Sequence, residues 1–161
     1  MEKNDLQILR ATQKDLVGIV GIEKLAFSSP WSFQDFENEL TRPWACLEVL
    51  RKTRGCDLYK SPILAFMDYW LIPDEIQLLK IATHPDHLRQ GLGIALMEHL
   101  VSKAKEHAIT RITLEVRTLN VPAILLYERF SFKHVGVRPK YYPNGEDALL
   151  MDLQICSGKN F

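Results

Sequence analysis

Residues 75–118 run EIQLLKIAT, HPDHLRQGLG, IALMEHLVSKAKEHA and RITLEVRT, with two residues between the last two. The first is an apolar-rich run of strand length. The second is a turn holding Gly91 and Gly93. In the third, Ile94, Met97, Val101 and Ala104 recur at helical spacing, Leu96 and Leu100 widen the stripe, and Lys103, Lys105 and Glu106 are left for solvent. The fourth alternates, with Ile112, Leu114 and Val116 on one side and Thr113, Glu115 and Arg117 on the other. Strand, turn, amphipathic helix and one-sided strand in succession commit the chain to an α/β fold.

The flanking sequence extends this pattern. Thr12 to Asp15 resembles a capping box ahead of Leu16, Ile19, Val20, Ile22 and Leu25, which predicts a first helix ending near Phe27. Ser32 and Asp35 repeat the box, and Phe33, Phe36 and Leu40 share a face, which predicts a second helix to about Thr41. CLEVLR, PILAFMDYWL and EIQLLKIAT read as three meandering strands, separated by RKTRGCDLYK and Pro73-Asp74. Pro122 opens a further helix with Ile124, Leu125 and Tyr127, and FKHVGVR and ALLMDLQI follow as strands. The expected order is ααβββαβαββ, in one α/β domain over residues 1–161 with a short tail at 156–161.

The 161 residues suit one domain with a real core, and 47% apolar with 25% charged side chains is a globular composition. Twenty basic residues balance twenty acidic ones, so the overall field does not attract nucleic acid and any basic site is local. The charged start MEKNDLQILRATQKD has no apolar leader, and no stretch is long enough to span a membrane. The expectation is a cytoplasmic protein with no membrane or direct nucleic-acid partner. Cys46, Cys56 and Cys156 form no CxxC pair and are expected to be reduced, and the five histidines form no HExxH pattern, so no metal is assigned.

A strand, a glycine turn and a helix start gather unpaired N–H groups and the positive end of a helix dipole at one point, where an anion binds; Arg89 adds a charged donor. GLGIAL lacks the third glycine of GxGxxG, and no GK[ST] follows, so an ordinary strand-to-helix turn is the other reading. Glu115, on the polar side of its strand, fits either a partly buried carboxylate with its pKa raised toward neutrality or a surface carboxylate paired with Arg117 or Arg111. Tyr127 equally fits a core aromatic.

Taken together, KIATHPDHLRQGLG, ITLEVRTLN, AILLYERFSF, YYPNGEDALLM and AFSSPWS resemble the GNAT (GCN5-related N-acetyltransferase) superfamily, and within it the RimI-type enzymes that acetylate protein N-termini, over nearly the whole chain. The resemblance implies the GNAT fold, a central mixed and mostly antiparallel twisted sheet flanked by helices. It implies acetyl-CoA as cosubstrate, no metal, and a protein N-terminus, first that of a small-subunit ribosomal protein, as acceptor. Carried over residue by residue, Ile81, Ala82 and Thr83 meet the pantetheine arm. Arg89, Gln90, Gly91, Leu92, Gly93 and Ile94 hold the pyrophosphate, and Asn120 contacts the cofactor. Glu115 matches the general base and Tyr127 the general acid of a direct transfer in a ternary complex. Tyr141 and Tyr142, with Glu146 and Asp147, and Trp31 match positions near the acceptor groove; a hairpin with aromatic packing and a core tryptophan are the plainer readings. Two positions depart from the pattern: Leu88 stands where [QR]xxGx[GA] has a polar residue, and Ser131 where a glycine is usual. A GNAT enzyme for lysine or small-molecule amines, and a noncatalytic acetyl-CoA-binding module, are the alternatives.

Overall fold

A computed structural model describes residues 5–53, 57 and 60–156. Cys56, most of the loop RKTRGCDLYK beyond Thr53, and the tail after Cys156 lie outside the described residues. The elements are β1 (Leu6–Arg10), α1 (Leu16–Ala26), α2 (Phe33–Thr41), β2 (Ala45–Lys52), β3 (Ile63–Ile72), β4 (Glu75–Thr83), α3 (Leu92–Glu106), β5 (Arg111–Arg117), α4 (Val121–Arg129), β6 (Lys133–Arg138) and β7 (Ala148–Gln154).

Both predicted capping boxes form where the sequence put them. The Asp35 carboxylate accepts from Ser32 N at 2.7 Å while Ser32 Oγ accepts from Asp35 N at 3.2 Å. Asp15 accepts from Thr12 N at 2.8 Å, closing a short 3-10 turn that leads into α1. Each box satisfies N–H groups that a helix start leaves without partners.

The seven strands hydrogen-bond in the order β1-β2-β3-β4-β5-β7-β6. β4 and β5 pair in parallel, and β1–β2, β5–β7 and β6–β7 are antiparallel. This is the mixed sheet expected, with one strand more at its start. β1 was not anticipated: LQILR is five residues long, too short for a period to show, and only its pairing with β2 from Leu6↔Lys52 to Arg10↔Glu48 makes it a strand. A bulge between His134 and Gly136 interrupts the β6–β7 register.

The chain divides into two compact units, one of residues 1–69 and 80–96, the other of 70–79 and 97–161. In the first, Leu16, Ile19 and Ile22 of α1 and Phe36 of α2 pack on Leu47, Val49, Phe66 and Ala82. Leu25 and Phe33, assigned to the apolar faces by spacing, stay substantially exposed. Two polar clusters are buried here. Arg51 pairs with Asp15 and donates to the Ser61 carbonyl. Asp68 of β3 stands beside Glu39 of α2, which Arg42 pairs.

In the second unit Ile112, Leu114 and Val116 are buried, as the alternation of β5 requires, with Met97, Leu100 and Ala104 of α3. On α3 the fully buried residues are Leu92, Leu96, Met97, Leu100 and Ala104, whereas Ile94 and Val101 are only partly covered. The buried face is therefore centred on the residues that seemed merely to widen it. Among the described residues no helix is long and apolar enough to cross a membrane.

Candidate active site

The polar face of β5 is the floor of a cluster of charged and aromatic side chains in the second unit. In an antiparallel ladder, directly paired residues point to the same side. Glu115 pairs with Leu150 of β7, and Leu150 with Gly136 of β6; two residues along, on the same face, Arg117 pairs with Ala148, and Ala148 with Arg138. Ala148 is small enough for Arg138 to lie across β7, and its Nη2 stands 3.4 Å from Glu115 Oε1. The Tyr141 hydroxyl donates to the same carboxylate, which raises the tyrosine's pKa, and the Arg138 guanidinium sits 5.6 Å from the Tyr141 ring centroid. Neither arginine named from the sequence is the partner of Glu115: Arg111 pairs with Glu75 at 2.7 Å and Arg117 with Glu146 at 3.4 Å.

Arg117 braces the segment between β6 and β7. It lies 4.2 Å from the Tyr142 ring centroid and donates to Asn144 Oδ1 at 3.2 Å. Asp147 accepts from Lys140 N at 2.8 Å, and Asn144 Nδ2 donates to Glu146 at 2.8 Å. Glu146 and Asp147 thus hold this segment in place, and the Tyr141 and Tyr142 rings meet edge to face at 5.2 Å.

Tyr127 comes from α4, whose N-terminus Asn120 caps by accepting the Ala123 N–H at 3.3 Å. At the other end Phe132 N donates to the Tyr127 carbonyl and Ser131 N to that of Glu128, with Ser131 at φ 68. This is a Schellman turn with serine at the left-handed position, and the Phe132 ring packs 5.9 Å from that of Tyr127. Tyr127 is 5% exposed; burial, and Tyr142 beside it, push its pKa above the ordinary tyrosine value, so the hydroxyl keeps its proton at neutral pH.

The first unit holds the remaining positions. The β4–β5 ladder runs from Glu75↔Arg111 to Leu78↔Leu114 and ends there, although β4 continues to Thr83. Ile81, Ala82 and Thr83 lie past that end, so one edge of β4 is left without a ladder partner among the described residues. The turn that follows has Arg89 at φ 56 and Gly91 at φ 79. No Cβ fits φ 79 without strain, which is why glycine stands at 91. The first bond of α3 runs from Ala95 N to the Gly91 carbonyl at 3.0 Å, so the N–H groups of Leu92, Gly93 and Ile94 precede it with no intrahelical acceptor among the described residues. Such free donors and a free strand edge are what the pyrophosphate and the amide-bearing arm of acetyl-CoA require.

Trp31 lies in the segment between α1 and α2 and is tied back to α1 through its backbone. Its N–H donates to Glu23 Oε1 at 2.9 Å, and the Lys80 ammonium reaches the same oxygen at 2.6 Å while lying 4.2 Å from the Phe27 ring and 5.0 Å from the Trp31 ring. The Trp31 ring packs on Phe36 at 5.3 Å. Sequence reading singled out none of Arg138, Glu23 and Lys80. For Glu23 and Lys80 a charge within an apolar-rich helix or strand was the only signal, and Arg138, at the end of β6, carried none.

Residues 16–132 match the model of the acetyltransferase (GNAT) family. The chain belongs to the GNAT family. It is therefore an acetyl-CoA-dependent N-acetyltransferase. Among GNAT relatives, the Escherichia coli (strain K12) [ribosomal protein bS18]-alanine N-acetyltransferase is 34% identical over 94% of this chain and 98% of its own. A Bacillus subtilis protein named as a putative enzyme of the same kind is 35% identical over 86% and 88%. The crystal structure of the E. coli ribosomal-protein-S18-alanine N-acetyltransferase superposes with a TM-score of 0.84, covering 97% of this GNAT chain and 98% of that one.

Proposed function

We propose that this chain, as a single GNAT domain, acetylates the N-terminal amine of a protein, in the first place the alanine terminus of ribosomal protein bS18, the acceptor named for its relatives in E. coli and B. subtilis. The family match runs through both compact units, which supports reading the whole chain as one domain. The observation that carries the catalytic reading is the cluster on β5, in which Glu115 is held by the Tyr141 hydroxyl and a protonated, buried Tyr127 stands beside Tyr142.

In this reading Ile81, Ala82 and Thr83 offer backbone groups to the pantetheine arm, and one of their N–H groups stabilises the thioester oxyanion. Arg89, Gln90, Gly91 and the helix-start N–H groups of Leu92, Gly93 and Ile94 hold the pyrophosphate, and Asn120 contacts the cofactor. Trp31, Tyr141 and Tyr142 line the path of the acceptor. Glu115 receives the ammonium proton and passes it to water. The neutral amine attacks the acetyl carbonyl directly in a ternary complex, the carbon–sulfur bond breaks, and Tyr127 protonates the leaving sulfur. An α-amine of pKa about 8 loses its proton at pH 7 at a cost of roughly 1.4 kcal/mol, against roughly 4.6 for a lysine near 10.4, so a single carboxylate is better matched to an N-terminus.

Two measurements test this. Incubated with acetyl-CoA and peptides offering only an α-amine or only a lysine, the protein is expected to acetylate α-amines alone, alanine-starting peptides first, by mass spectrometry. Lysine-only products would move the acceptor assignment. Glu115→Gln is expected to bind acetyl-CoA normally and lose roughly 10²- to 10⁴-fold in turnover. Unchanged turnover would remove Glu115 from the mechanism.

A further inference from the structure

The reading of Glu115 as the base leaves its neighbouring cation unexplained. The charged and titratable groups facing this carboxylate are Arg117 on β5, Arg138 on β6, and Tyr141, Tyr142 and Glu146 on the connecting segment. Arg117 is engaged by Glu146, Asn144 and the Tyr142 ring. Arg138 is left as the cation at Glu115, reaching it across Ala148 and lying against the Tyr141 ring, with its side chain 56% exposed.

An acceptor arriving as an ammonium ion would be clamped in that form by an isolated carboxylate, because an opposite charge favours the charged state. Binding of that kind stabilises the ground state and raises the barrier to attack. A guanidinium beside the carboxylate opposes it. Resting on the assignment of Glu115, we propose that Arg138 is a positioning residue for the transfer: it fixes the Glu115 carboxylate together with Tyr141 and, as a like charge, disfavours the ammonium form of the bound acceptor. Glu115 receives the ammonium proton and passes it to water, the neutral amine forms the new carbon–nitrogen bond as the carbon–sulfur bond breaks, and the sulfur takes its proton from Tyr127, which recovers one from solvent. Arg138 is unchanged throughout.

The test is steady-state kinetics of Arg138→Gln and Arg138→Lys at saturating acetyl-CoA, over roughly pH 6 to 10, with a lysine-free, alanine-starting peptide as acceptor. A unit charge about 5 Å away through a mostly aqueous medium is worth roughly three- to tenfold. Arg138→Gln is expected to lower kcat by that factor at pH 7, to shift the acid limb of the kcat profile to higher pH, and to reach the native rate above the limb. KM for the peptide is expected to fall at the same time, because the ammonium is now held more tightly, with acetyl-CoA affinity unchanged. Arg138→Lys is expected to stay near the native profile. A uniform loss of kcat at every pH with the limb unmoved, or a raised KM, overturns the proposal. An inactive Glu115→Gln together with an unmoved limb in Arg138→Gln overturns this inference alone, whereas a fully active Glu115→Gln removes the base and this inference with it.

Discussion

Ser131 carries a local cost that can be read directly. At φ 68 it occupies the left-handed region that glycine enters freely and that other L-residues enter at about 1 kcal/mol or more. Ser131→Gly is therefore expected to stabilise the protein by about 1 kcal/mol in a denaturant titration while keeping the turn that seats Phe132 against Tyr127. A loss of stability would mean that the serine hydroxyl contributes something the turn geometry does not. The strain was foreseeable, because residue type at a helix end is a local matter. The partner of Glu115 was not foreseeable. Alternation along β5 marks Glu115 as polar-facing, but Arg138 reaches it only because β6 pairs with β7 in a register that places Ala148 between them. No spacing within one strand encodes that.

Among the elements, α1 shows how two similar glycines differ in consequence. A Cβ on Gly18 would meet Ile63 Cδ1 at 3.0 Å, whereas one on Gly21 would meet nothing within 4 Å. Gly21→Ala is expected to raise stability by about 1 kcal/mol through helix propensity alone, and Gly18→Ala to gain less or lose, by thermal denaturation of both variants. An equal gain in the two would show that Ile63 yields at no cost. Most element types follow from local rules: the two capping boxes, the alternation of β5 and the apolar spacing of α3 each act within a few residues. What escaped was β1, whose five residues carry no period, and the centre of the α3 stripe, which depends on what the helix packs against rather than on its own sequence.

For the molecule as a whole, neutral net charge says little about its response to pH, because a single buried group is set to respond. Burial, and next the Glu39 carboxyl beside it, push the Asp68 pKa up to about 8, with Arg10 and Arg42 opposing only in part. The folded chain thus keeps a proton that the unfolded chain releases near 3.8. Its contribution to stability is whole below that lower value and drains away as pH climbs toward about 8. Unfolding free energy is expected to fall across this window by at most about 1.4 kcal/mol per pH unit on this account, and Asp68→Asn to flatten the slope. A slope identical in both proteins would place the proton elsewhere.

The bulge in β6 has a bearing on how the protein behaves at high concentration. β6 is an outer strand of the sheet, and exposed Val135 and Val137 would otherwise make it an inviting template for a strand from another copy. Such a strand would have to follow a ladder bent between His134 and Gly136 and lined with Lys133 and Arg138. The irregularity that breaks the register therefore also guards the sheet against growing by aggregation.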